Sequence, residues 1–130
     1  MSDTSRTAYD LFALTWITLA DLLGTAATAT VLRRAARRAT IEAPELQELV
    51  IKREGLEYTY EVPESWRQAQ HYQSLAALRA LMDDLGPLLV DLTGSVVVSR
   101  LEQLVPLREQ GVLSPEEVAK WLRSEGPRQP

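Results

Sequence analysis

The chain carries a single histidine, His71, the one side chain whose unperturbed pKa lies near neutrality. Close to it in sequence stand Trp66, Gln68, Tyr72 and Ser74, with Tyr58 and Tyr60 a little upstream. A polar-tipped pocket built from His71, Tyr58, Tyr60, Tyr72 and Trp66 could take a small molecule, or use the imidazole as an axial ligand or proton acceptor. Acid–base chemistry would further require His71 to converge with a carboxylate such as Glu64 or Asp83 in one cleft. The plainer reading is the stronger: a hydrogen-bonded structural histidine at the top of an apolar stripe, with Trp16, Trp66, Trp121 and the tyrosines serving as core.

Two charged groups invite similar scrutiny. Asp83, Asp84 and Asp91 stand around Gly86-Pro87 and could together offer oxygens to a hard cation, but the ligand spacing of a calcium loop is missing. They read better as acids at helix ends, with Asp91 complementing a helix dipole. Arg33, Arg34, Arg37 and Arg38 form two pairs spaced four apart, each pair on one side of a helix. Such a cluster could bind an acidic protein partner, a phosphate or an anionic surface. Alternatively it is the favourable basic end of a helix, neutralised by Glu42, Glu45 or Glu48.

The residue inventory excludes more than it assigns. With no cysteine, there are no disulfides, thiolate nucleophiles, zinc knuckles or iron–sulfur ligands, which suits a reducing compartment such as the cytoplasm. One histidine cannot supply the Glu-x-x-His pairs of a di-iron bundle, and it cannot form a common zinc site without several carboxylates. Gly94-Ser95 lacks the second glycine of a nucleophile elbow, and glycine-rich phosphate loops are absent. Neither a metal nor a cofactor is expected. The net charge of −4 disfavours generic nucleic-acid binding. It is also uneven: residues 1–40 carry five Arg against three Asp, and the remaining residues nine basic against fifteen acidic side chains. That polarity suits pairing with a partner or another copy.

At 130 residues the chain has the size of one domain, with 45% hydrophobic and 25% charged residues. Residues 11–32 are long enough to span a bilayer and precede the arginines, but Asp21 would cost about 2.5–3.5 kcal/mol at the membrane centre. Membrane insertion is therefore disfavoured, and Asp3 and Asp10 stand where a signal peptide needs basic residues.

Apolar positions spaced three and four apart predict a long helix from about Thr7 to Ala39, with Gly24 as a candidate break. The small side chains of residues 24–30 would let another helix, from the same chain or a second one, approach closely. Strands at residues 48–53 and 56–62 flank Glu54-Gly55, which reads as the turn of a hairpin that pairs Ile51 with Tyr58, Leu49 with Tyr60, and Lys52 with Glu57. A helix from Glu64 to Leu85 should stop at Gly86-Pro87, and a second, antiparallel to it, should continue from Pro87 to Val105. Ser114-Pro115-Glu116-Glu117 signals a short last helix, with a serine N-cap, proline at N1 and glutamate at N3.

The expected fold is therefore α+β, mainly α. It comprises a long N-terminal helix, a hairpin at about 48–62, an antiparallel helix pair and a short C-terminal helix in one domain over 1–125, followed by a disordered tail at 126–130. A long helix this apolar needs more cover than so few elements supply, so a homodimer is expected, with parts of residues 11–32, Trp16 and Leu19 among them, and the hairpin at its interface, while Arg33, Arg34, Arg37 and Arg38 are kept for an acidic protein partner. The function this implies is a non-catalytic regulatory or adaptor domain acting by protein–protein association. The alternatives are a small-molecule sensor using the His71 pocket and an enzyme using His71 with a carboxylate.

Overall fold

The computed structural model describes residues 7–68 and 72–125. Over these residues the chain runs α1 (Ala8–Leu23), α2 (Thr25–Ala39), a 3₁₀ turn (Pro44–Glu48), β1 (Val50–Glu54), β2 (Glu57–Glu61) and a second 3₁₀ turn (Glu64–Arg67). It continues through α3 (Tyr72–Thr93), α4 (Ser95–Glu102), α5 (Val105–Glu109) and α6 (Pro115–Glu125). This is the expected α+β, mainly α fold, with one two-stranded antiparallel hairpin. The tail at 126–130 and His71 fall outside the described residues.

Thr7 opens α1 with a reciprocal cap. Its hydroxyl accepts from the Asp10 amide at 3.0 Å, while the Asp10 carboxylate accepts from the Thr7 amide at 3.1 Å. Such a capping box stabilises a helix start by about 0.5–2 kcal/mol. The single helix expected over 7–39 is instead two, divided at Gly24 (φ 87°, ψ 161°), and the two pack against each other. Among the described residues, no helix is long and apolar enough to cross a bilayer.

α1 buries Leu11, Phe12, Trp16 and Leu19, and α2 buries Ala29, Leu32, Ala35, Ala36 and Ala39. The alanine-rich face of α2 lets α3 lie close, and this is the most extensive helix–helix contact in the fold. Thr15 and Thr28 are buried without leaving a polar atom stranded, because their hydroxyls donate to the carbonyls of Leu11 and Gly24 one turn back, at 2.9 and 2.8 Å.

The expected stop at Gly86-Pro87 does not occur, and α3 passes straight through both residues. The apolar stripe Leu78, Leu81, Met82, Leu85, Leu88 and Leu89 keeps its three-and-four spacing across the proline, and all six are buried. That burial offsets the hydrogen bond Pro87 cannot donate to the Asp83 carbonyl, a loss of about 3 kcal/mol in a helix interior. Gly86 has a different purpose. A Cβ placed on it would overlap the indole of Trp121 in α6, so the glycine permits a close helix crossing and does not cap a helix end. The true break comes at Gly94 (φ 72°, ψ −145°), a conformation that side chains with a Cβ rarely adopt. The break is thus moved eight residues from Gly86, so Asp84 sits inside α3, and Asp91, expected in the first turn of a helix, lies in the last turn of α3, where a helix dipole does not favour an acid.

The hairpin exists, but its register is displaced by two. Ile51 pairs with Tyr60, Lys52 with Thr59 and Glu54 with Glu57, and Gly55-Leu56 forms the loop. A two-residue loop needs positive φ at its first position, which Gly55 (φ 66°) supplies and Glu54 would not. A slip of two preserves the faces, so Ile51 still packs into the core. Lys52 loses its expected partner Glu57 and lies 3.7 Å from Glu54 instead. α6 begins as the sequence indicates, the Glu117 amide donating to the Ser114 hydroxyl at 3.2 Å.

Candidate functional site

The aromatic end of the molecule is filled. Trp66 is fully buried, and its indole N–H donates to the Glu45 carboxylate at 2.7 Å, tying the two 3₁₀ turns together. The Tyr60 ring lies 4.8 Å from Phe12 in an edge-on arrangement, 5.1 Å from Trp16 and 6.5 Å from Tyr9, centroid to centroid. The guanidinium of Arg67 stands 4.4 Å from the centre of the Tyr9 ring. Burial, with the neighbouring Tyr9, raises the Tyr60 pKa, and Arg67 partly opposes this. The residues proposed as a ligand pocket are therefore dispersed. Tyr60 and Trp66 belong to the packed ring cluster, Tyr58 is partly buried on the hairpin, Tyr72 projects outward at the start of α3, and His71 is outside the described residues. Of the four clefts described, the smallest, about 170 Å³, is lined by Tyr72, and none by Tyr58, Tyr60 or Trp66.

Trp16 and Leu19 need correcting as partner contacts. Trp16 is 8% exposed and Leu19 is fully enclosed within the single chain. The hairpin's Tyr60 and the neighbouring helices cover these two, whereas Ile17, between them in sequence, is 63% exposed.

The arginines fare differently. The predicted neutralisation by Glu42, Glu45 or Glu48 is not formed, and among the described residues the one ion pair is Lys52–Glu54. Glu45 is occupied with Trp66. Arg33 donates from Nε to the Ile51 carbonyl at 2.9 Å, bridging α2 and β1, whereas Arg34, Arg37 and Arg38 extend into solvent. Since successive helix residues are turned by about 100°, Arg33 and Arg37 share one side of α2, and Arg34 and Arg38 the next.

A cleft lies beside each side. The first, of about 400 Å³, runs between α2 and residues 46–51, with Arg33 and Arg37 on one wall, Gln47 on the other, and Leu46, Leu49 and Ile51 as an apolar floor. The second, of about 450 Å³, lies between α2 and α3. Ala26, Ala27 and Thr30 keep it shallow on the α2 side, Leu88 and Leu92 line the α3 side, and Arg34 and Asp91 bring opposite charges to it. Leu92 is 67% exposed, as is Val96 four residues on. Both fall within the helix expected from Pro87 to Val105; in the structure Leu92 lies at the end of α3 and Val96 at the start of α4, both on the surface. The run of small residues after Gly24 was the legible sign of this second cleft.

The acidic residues do not form a cation site. Among the described residues, no group of three or more His, Asp or Glu side chains is placed to hold a metal ion. Asp83 is nonetheless perturbed: desolvation, then the nearby Glu117, raises its pKa to about 6, with Arg79 opposing and Glu42 and Asp84 adding to the rise. This is an electrostatic tension between α3 and the first turn of α6.

No protein-family model matches the chain, and neither the curated proteins nor the solved structures include one significantly similar to it.

Proposed function

We propose that this chain is a non-catalytic association domain of the regulatory or adaptor kind, working as a homodimer through the cleft between α2 and α3. One observation carries the reading: the cleft combines both halves of a complementary contact in one patch. Leu92 protrudes beside a hollow floored by Ala26, Ala27 and Thr30, and Arg34 lies with Asp91 at the same cleft, neither of them ion-paired among the described residues. A two-fold axis brings each residue of such a patch against its complement on the other copy. Leu92 would then enter the partner's hollow, and Arg34 would meet the partner's Asp91 equivalent. The cysteine-free composition makes a cytoplasmic setting part of the same reading.

Sedimentation velocity at micromolar concentration tests it. The wild-type chain is expected to sediment as a dimer, and Leu92→Glu and Arg34→Asp as monomers with unchanged circular dichroism. The double exchange Arg34→Asp with Asp91→Arg should restore the dimer. A wild-type monomer, or a dimer indifferent to Leu92→Glu, would remove this function.

A further inference from the structure

The other cleft, between α2 and β1, is not used by that contact and has a chemistry of its own. We infer that it is a binding site for an extended acidic peptide segment of a partner protein, with carboxylates at alternate positions held by Arg33 and Arg37. The lining contains two guanidinium groups and no acidic side chain, in a protein that is acidic as a whole. Like charges spaced four apart on a helix repel, and here no described side chain neutralises them. Arg33 is already oriented, because its Nε is held by the Ile51 carbonyl, which leaves its terminal nitrogens free to donate.

Geometry selects an extended chain over a helix. Four residues along α2 advance about 6 Å, and two residues of extended chain advance about 6.6 Å. Side chains on the same side of a strand thus match the spacing of Arg33 and Arg37. Between the carboxylates, an apolar side chain finds the floor of Leu46, Leu49 and Ile51, and Gln47 on the far wall can bond the peptide backbone. Strand pairing onto β1 at Ile51 is disfavoured, since the Arg33 side chain already lies against that carbonyl. The peptide is held by side chains, and a volume of about 400 Å³ suits a short segment rather than a folded element.

Fluorescence anisotropy with a labelled peptide of alternating glutamate and valine tests this, with its glutamine counterpart and inorganic phosphate as controls. The glutamate peptide is expected to bind and the glutamine peptide to bind at least about tenfold more weakly, the difference a lost charge-assisted contact makes. Binding should weaken as salt rises from about 50 to about 300 mM. Arg37→Ala, at an exposed site, should weaken it by about tenfold, and Arg37→Glu should abolish it while leaving circular dichroism unchanged. Equal binding of the two peptides, no effect of Arg37→Ala, or displacement by millimolar phosphate would each overturn the inference, the last by marking a simple anion site. Repeating the titration with the Leu92→Glu variant separates this result from the dimer reading, since the peptide site is expected to persist there.

Discussion

The aromatic end of this protein and its arginine-bearing helix present opposite outcomes from equally suggestive sequence. Tyr58, Tyr60 and Trp66 have the residue types of a ligand pocket, yet Tyr60 and Trp66 spend their surface on each other's neighbours: Phe12, Trp16, Tyr9 and Glu45. Arg33, Arg34, Arg37 and Arg38 have the look of an ordinary solvated helix end, yet the first three border the two largest clefts described. The lesson concerns satisfaction. Aromatic rings can satisfy one another, because apolar area and edge-to-face packing are available inside one chain. Guanidinium groups that no described carboxylate pairs with do not, and their charge is left for something outside the chain.

This contrast can be broken most forcefully at Trp66. Trp66→Ala should cost about 3–5 kcal/mol in urea denaturation, through the cavity it leaves and the loss of the N–H that Glu45 accepts. A cost below about 1 kcal/mol would mean the ring cluster is loosely filled and can accommodate a ligand after all. Gly86→Ala comes next, at about 1–3 kcal/mol for overpacking against Trp121. Trp121→Leu should relieve much of that penalty in the double variant, and simple additivity would show that the glycine serves some other need.

A smaller effect, opposite in sign, is expected at Asp83. Its folded-state pKa of about 6 stands above the ordinary 3.8 of an aspartate, so its charged form works against folding. That destabilisation is absent below 3.8, grows as pH rises from 3.8 to about 6, and is fully present above that. Asp83→Asn should therefore raise the melting temperature at neutral pH, and the gain should vanish as pH falls below 3.8. A gain independent of pH would show that the carboxyl is not the cause.

The smallest change in stability belongs to the cleft side. Leu92→Glu, at a position already 67% exposed, should alter monomer stability by no more than about 0.5 kcal/mol while changing the sedimentation of the protein. A large loss of stability measured under monomeric conditions would place Leu92 in the core, not on a docking face.

Much of the local chemistry was legible, although Glu64–Arg67, expected to open a helix, forms a 3₁₀ turn. The Ser114 cap, the helical stripes of α1 and α3, the hairpin and the mainly helical class all follow from contacts within a few residues, where propensity and periodicity act directly. The Thr7–Asp10 capping box was equally available, as a threonine followed three residues later by an acid. The hairpin register turned on which position of the loop requires positive φ, a local rule that favours Gly55 as the first loop residue over Glu54.

Other features depended on partners distant in the chain. Gly86-Pro87 carries every local mark of a helix end; burial of the apolar stripe on both sides of it carries the helix through, and the Trp121 ring lying on Gly86, thirty-five residues away, accounts for the glycine. Trp16 and Leu19 were destined for burial by their composition, but whether the same chain or a second one would cover them depended on the bend at Gly24 and on the packing of α1 against the elements around it. The amino-acid pattern sets which surfaces must leave water, because hydrophobicity is a property of each residue. Which element covers each surface, and which is left open, is a matter of three-dimensional complementarity between segments far apart in sequence, and that is where the exposed Leu92 and the unneutralised arginines were decided.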